Sequence, residues 1–324
     1  MSMYLGVDLG ATHLRAGVLH VRDGTIHASA KIETRGEQGP AAVIARIAAL
    51  CHQVIDKANV PRTQIQGIGI GAPGRVDMQN GITRFLPNLP AHWIDVPLAA
   101  QLAQQTNLRV TLLNDARALT LGEYTFGAGR GADTMACFTL GTGIGGGLVI
   151  QKKLYLAMDG SAGEIGHQVV ARDGLPCTCG GRGCLEAYAS GPALAASGVR
   201  AVLMKHPTRL AELSQGDLNR ITVATLIQAA ELGDEIARAI FRQAGEYIGI
   251  AVSNVVVTIA PQKIVFGGGV ARAGEWLLEA VRETLRVRVH LVPNDQTEIV
   301  TAALGDDAGW IGAAVRARDC FGEA

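Results

Sequence analysis

Three thiols, an imidazole and two carboxylates fall within one short stretch of this chain, and they are its most chemically capable residues. The stretch reads Gly163-Glu-Ile-Gly-His167, then Cys177-Thr-Cys179-Gly-Gly-Arg-Gly-Cys184-Leu-Glu186. Tetrahedral zinc takes a set of three cysteines and one histidine readily. Four protein ligands leave no open coordination position, so His167, Cys177, Cys179 and Cys184 are expected to hold a structural ion rather than a catalytic one. The glycines between them let the backbone fold three sulfurs around one centre. The competing reading is three unrelated buried thiols. Glu164 and Glu186 bracket the ligands. A carboxylate is an acceptor that suits pairs of sugar hydroxyls, although a lone glutamate is more often a solvated surface residue.

Four further motifs offer polar chemistry at turns. Asp8-x-Gly10-x-Thr12 follows an apolar run. There Gly10 permits close backbone approach to a phosphate, Thr12 offers a hydroxyl, and Asp8 can hold Mg²⁺ directly or through water. Leu140-Gly-Thr-Gly-Ile-Gly-Gly-Gly147 packs five glycines together. Its backbone N–H groups could receive an anion, or it could be a tightly packed hairpin. No Gly-Lys-Ser/Thr follows, so it is not a Walker A loop, and a strand rather than a helix comes next, which argues against a dinucleotide fingerprint. Gly267-Gly268-Gly269 could let a flat nucleoside lie on the backbone, or could be a plain strand-to-helix turn. Asn114-Asp115 closes an apolar strand, so Asp115 is a candidate general base or a helix N-cap.

The elements that must place these motifs read as an alternating α/β pattern. Strands are expected at 4–7, 14–21, 65–71, 109–113, 134–140, 146–150 and 263–266, with a further strand after Asp23-Gly24. Helical spacing runs from Ala41 to Ala58, with Val43, Ile44, Ile47, Leu50, Cys51, Val54 and Ile55 on one face. Further helices are expected at 96–105, 116–124, 234–259 and 306–318. The second half restarts the opening strand–turn–strand with another glycine-rich tip, a weak internal duplication that points to two lobes around a cleft. The length of 324 residues fits about two domains at ~150 residues each. Formal net charge is zero, which disfavours a nucleic-acid surface. The longest apolar run, 249–260, is interrupted by Ser253 and Asn254 and falls short of the ~20 residues of a membrane span. The N-terminal residues carry no basic leader, so a cytoplasmic protein is expected. Cys51 and Cys137 sit among apolar residues, as small core side chains do.

Together these pieces resemble the ROK family of bacterial-type sugar kinases and related repressors. The resemblance runs from Leu5 to about Gly312 and is most specific from Leu140 through Ser161-Ala-Gly-Glu-Ile-Gly-His167 to Glu186. Residues 114–130 resemble the glucokinases of that family. The resemblance implies a two-lobed, actin-like ATPase fold of the hexokinase and Hsp70 type with an interlobe cleft. Residues 1–115 plus 306–324 would form the small lobe, and 116–305 the large lobe with the zinc-binding loop. Asp115 would be the catalytic base. Gly74, Arg75, Asn88, Asn114, Glu164, His167 and Glu186 would bind the sugar, His167 giving one ring nitrogen to zinc and the other to a hydroxyl. Asp8, Gly10, Thr12, Gly141, Thr142, Gly143, Gly267 and Gly268 would bind ATP.

The implied reaction is Mg²⁺- and ATP-dependent phosphorylation of the 6-hydroxyl of a hexose, glucose first. Fructose, mannose, allose, N-acetylglucosamine and N-acetylmannosamine are the alternative acceptors. A homo-oligomer, dimer or tetramer, is also implied. Family repressors carry a winged helix-turn-helix ahead of the kinase-like region, and a first strand starting by Tyr4 is expected to leave no room for one. Two positions depart from the family pattern: many members have Gly at the place of Ala11 and Lys at that of His13.

Overall fold

The computed structural model describes residues 3–86, 89 and 93–322. The chain opens with β1 (Met3–Leu9), β2 (His13–His20) and β3 (Thr25–Glu33), then helix α1 (Gly39–Ala58) and β4 (Ile65–Ala72). A small antiparallel sheet follows, made of β5 (Arg75–Asp77), β6 (Ile82–Phe85) and β7 (Ile94–Val96). Helix α2 (Leu98–Thr106), β8 (Val110–Asn114) and α3 (Asp115–Phe126) complete this part. The first large sheet has the order β3-β2-β1-β4-β8. Its first three strands are antiparallel neighbours, while β4 and β8 run parallel to β1.

The second large sheet repeats that plan. β9 (Met135–Leu140), β10 (Ile144–Ile150), β11 (Lys153–Tyr155), β12 (Lys263–Gly267) and β13 (Glu298–Thr301) lie in the order β11-β10-β9-β12-β13. Again the first three strands are antiparallel neighbours and the last two run parallel to β9. The duplication faint in the sequence is therefore a full repeat of topology. Between β11 and β13 lie helices α4 (Glu186–Ala189), α5 (Gly191–Leu203), α6 (Leu210–Leu213), α7 (Val223–Glu231), α8 (Glu235–Ile259) and α9 (Glu275–Arg288). The chain ends in α10 (Ala308–Phe321).

Local chemistry accounts for the helix ends. The face of α1 read from its spacing is buried, from Val43 to Ile55. Asp234 caps α8 by accepting from the N–H groups of Ile236 and Ala237. The apolar run near 249–260 is the second half of α8, where Gly249, Ala251, Val252, Ser253, Val255 and Val256 are buried. Among the described residues no helix is long and apolar enough to cross a membrane. Helix α2 starts at Leu98, not at Val96, because Pro97 keeps the residue before it out of the helical region and Val96 joins β7 instead. The final helix starts at Ala308, behind a short 3₁₀ turn at Gly305–Asp307. It packs on β1, β4 and α3 and is buried on almost every side, Trp310 wholly so. That approach needs glycine: a Cβ at Gly69 would sit 1.7 Å from the carbonyl oxygen of Ala313.

Candidate active site

Parallel strands leave their C-terminal ends facing ligands in open α/β folds. Here the ends of β1, β4 and β8 from one sheet and of β9 and β12 from the other border a single cleft of about 1000 Å³. Gly74, Arg75, Asn114, Asp115, Glu164, His167 and Glu186 all line it, as do Gly10, Thr12, Gly141, Thr142, Gly143 and Gly268. A neighbouring cavity of about 560 Å³ is lined by Asp8 and Gly267 and shares Asp115, Ala116, Thr139 and Gly268 with the cleft. Asn88 lies outside the described residues. Ala11 lines the cleft with a φ outside the left-handed region, so the side chain there is unstrained. His13 lines neither cavity; its carbonyl closes the turn by accepting from Gly10 N–H at 3.1 Å.

Asp115 stands where the two cavities meet. It is the first residue of α3, and the N-cap is Asn114 rather than Asp115. Asn114 Oδ1 accepts from the N–H groups of Ala116 and Arg117, and its Nδ2 donates to Gly74 O. Both residue types cap well, but β8 carries extended backbone as far as Asn114, and a cap must have non-helical torsions. Burial pushes the Asp115 carboxyl above the usual carboxylate range. The N–H of Ala116 and the charge of Arg117 oppose that rise, and Glu164 adds to it. Such a group can take a proton from a hydroxyl. Asp8, at the end of β1, is pushed up to about 7, first by burial and then by the charge of Asp115; Arg15 pulls it down and Asp306 raises it. Arg15 lies 3.7 Å from Asp8 and 2.7 Å from Asp306, which in turn lies 3.5 Å from Arg272.

The glycine-rich hairpin between β9 and β10 is tied to the segment that carries the thiols. Glu186 Oε2 accepts from Ile144 N–H at 2.8 Å, and Oε1 accepts from Thr178 Oγ1 at 3.2 Å. A Cβ at Gly143 would lie 2.5 Å from that Oε2, so a side chain there would make the carboxylate shift. Gly268 has φ +92° and lies against Leu140 O, which excludes a side chain.

The ligand atoms of His167, Cys177, Cys179 and Cys184 all lie within 4.8 Å of one another. Cys179 Sγ is 3.7 Å from Cys184 Sγ, and Cys177 Sγ is 3.7 Å from His167 Nδ1. A zinc–sulfur bond of about 2.3 Å gives a tetrahedron edge of about 3.8 Å. The donor set and its spacing therefore fit zinc.

The ROK family model matches residues 4–319. The chain belongs to the ROK family. A glucokinase of Thermotoga maritima is 40% identical over 96% of this chain and 95% of its own length. A xylose repressor of Caldicellulosiruptor bescii is 31% identical over 95% of this chain and 76% of its own length. Among solved structures, a ROK family glucokinase from Streptomyces griseus in complex with glucose and AMPPNP has a TM-score of 0.84 at 34% identity, covering 98% of this chain and 100% of that one. The fold is the two-lobed, actin-like ATPase fold of ROK sugar kinases.

Some residues of this ROK chain shape the site without any local sequence signal. Arg117 is wholly buried and bonds Asn114 and Glu164 together. Glu123 is wholly buried on α3, where its carboxylate accepts from the N–H groups of Ala128, Ala303 and Leu304 and fixes the approach to α10. Thr178, between two of the thiols, donates its hydroxyl to Glu186.

Proposed function

We propose that this ROK chain is an ATP-dependent glucokinase in which Asp115 is the catalytic base. The observation that carries this is the position of Asp115, a half-buried carboxyl at the junction of two cavities. One of them is bordered by Glu164, His167 and Glu186, the other by Asp8 and Gly267 to Gly269. A hexose beside Glu164, His167 and Glu186, and a nucleotide reaching from the second cavity into the cleft where Gly10, Thr12 and Gly141 to Gly143 lie, would bring a sugar hydroxyl and a γ-phosphate together beside Asp115. The protein related at 34% identity that was solved with glucose and AMPPNP supports the same pairing of substrates.

Asp115 accepts the proton of the 6-hydroxyl as that oxygen attacks the γ-phosphorus. The bond from the γ-phosphorus to the β-phosphate oxygen breaks, and ADP and the sugar phosphate result. A loose transition state makes positioning and charge neutralisation the main contributions. Glu164, Glu186 and His167 Nε2 hold the sugar, with Gly74, Arg75 and Asn114 beside them; the family resemblance adds Asn88, which lies outside the described residues. Gly10, Thr12 and Gly141 to Gly143 present backbone and hydroxyl groups to the phosphates. Asp8 would hold Mg²⁺, whose charge neutralises the phosphates; the repulsion between Asp8 and Asp115 is what a cation there would relieve. His167 Nδ1 and the three thiolates would hold zinc, which braces the loop and fixes the imidazole tautomer.

In this reading residues 1–115 with 306–324 close on residues 116–305 around the sugar and exclude water. ATP and free hexose meet in the cytoplasm, and the reading places the protein there, as the homo-oligomer, dimer or tetramer, that the family resemblance implies. The test is an assay of ADP release with ATP and Mg²⁺ across glucose, mannose, fructose, allose, N-acetylglucosamine and N-acetylmannosamine. Glucose is expected to give the highest kcat/KM. A higher value for another hexose moves the substrate, and sugar binding without any turnover would make the chain a sugar-responsive regulator.

A further inference from the structure

Arg117 is a buried charge, with only 1% of its side chain exposed. A guanidinium removed from water is costly unless it is both paired and hydrogen-bonded. Arg117 meets both needs with two separate segments. Its Nε donates to Ala162 O at 3.0 Å, and its Nη2 donates to Ser161 O at 2.9 Å and to Glu164 Oε1 at 2.6 Å. Its Nη1 turns back to Asn114 Oδ1 at 2.9 Å. Four bonds thus use a fork that has five N–H groups.

The two segments are those that the proposed reaction must keep in register. Arg117 stands two residues after Asp115 on α3. Ser161, Ala162 and Glu164 belong to an irregular segment ahead of His167. Glu164 is half exposed in the cleft, and among the described residues Arg117 is the hydrogen-bond partner of its carboxylate. One oxygen is thereby fixed and the other is left for a ligand. The two carbonyls supply hydrogen bonds but no counter-charge. Arg117 spends a terminal nitrogen on an acid that faces the substrate cavity.

We propose that Arg117 is the positioning residue that sets the sugar-binding carboxylate of Glu164 relative to the base-bearing helix, and that affinity for the hexose, but not for ATP, depends on it. The inference rests on the sugar-kinase reading. Lysine cannot replace it, because an ammonium is a point charge without the planar fork that spans Asn114, Glu164 and two carbonyls.

The experiment compares Arg117→Lys, Arg117→Met, Glu164→Gln and the Arg117→Met/Glu164→Gln double variant in glucose-dependent ADP release, with glucose and ATP varied separately and melting temperature recorded. Each single variant is expected to raise the KM for glucose by about tenfold or more, with the KM for ATP within about twofold, as loss of a charge-assisted bond on one substrate requires. The double variant is expected within about threefold of the larger single loss, because both act through one contact. Should Arg117→Met fail to fold, Arg117→Lys and Glu164→Gln carry the same KM comparison. Lower melting temperatures with both KM values unchanged, equal rises in both KM values, or losses that multiply in the double variant would each overturn the proposal. Wild-type protein that turns over no hexose would instead overturn the kinase reading, a separate result.

Discussion

Replacing Gly143 by alanine tests whether the thiol-bearing segment and the glycine-rich hairpin act as one unit. The φ of Gly143 is not in the left-handed region, so the backbone accepts a side chain. The obstacle is Glu186: the new Cβ would lie 2.5 Å from its Oε2 and 3.4 Å from its Cδ. The carboxylate must withdraw, losing the 2.8 Å bond from Ile144 N–H and disturbing the 3.2 Å bond from Thr178. A hydrogen bond to a charged group contributes about 1.5–3 kcal/mol, so kcat/KM is expected to fall by about 10- to 100-fold. Because Glu186 serves the sugar and the hairpin serves the phosphates, the KM values for glucose and ATP should rise together in a coupled ADP-release assay. Gly141→Ala is the contrast: its Cβ meets nothing nearer than Gly143 O at 3.9 Å, and it should raise the KM for ATP alone. A Gly143→Ala protein with wild-type KM for glucose would refute the link through Glu186.

Two further outcomes follow from the charges and the thiols. The Asp8 carboxyl is raised to about 7, so the folded apo protein holds a proton that the unfolded chain has already lost above about pH 4. Through this group stability falls as pH rises from about 4 to about 7 and is level beyond. Asp8→Asn should therefore raise the apo melting temperature more at pH 8 than at pH 5 in calorimetry, while impairing ATP turnover; an equal change at both pH values would contradict the assignment of the raised carboxyl. Protein purified under reducing conditions should carry about one zinc per chain, and Cys179→Ser should weaken glucose binding as well as lower stability. Zinc-free protein with full glucose affinity would remove the metal from the account.

Much of the fold was legible because its signals are local. The residues of the apolar face of α1 lie within a single helix-length window, those of each glycine turn within a few positions, and the thiols and His167 within one short stretch. The repeat was faint in sequence because only the strand–turn–strand openings of the two halves look alike, while each completes its sheet with parallel strands far along the chain. β13 pairs with β12 across more than thirty residues, and such a short strand has no periodicity of its own to read. The small β5–β7 sheet escaped for the same reason. At the site, Asp115, Glu164, Glu186, the thiols with His167 and the glycine turns were legible by type and spacing, whereas Gly74 and Arg75 came from the family resemblance, and Met78, Gln79, Asn80, Arg84 and Asp159, which also line the cleft, carried no signal. Arg117 and Glu123 were not legible, because their partners are distant in sequence: Ser161 to Glu164 for one, Ala303 and Leu304 for the other. The Asn114 cap differed by one position, since either residue could cap and only the end of β8 decides.

The claim on which the rest depends is that Asp115 takes the proton from the sugar. Asp115→Asn keeps the size of the side chain and removes the base. Its kcat for glucose phosphorylation should fall by about a hundred- to ten-thousandfold, while glucose affinity measured by calorimetry stays within about threefold of wild type. Turnover within tenfold of wild type at unchanged affinity would contradict the assignment.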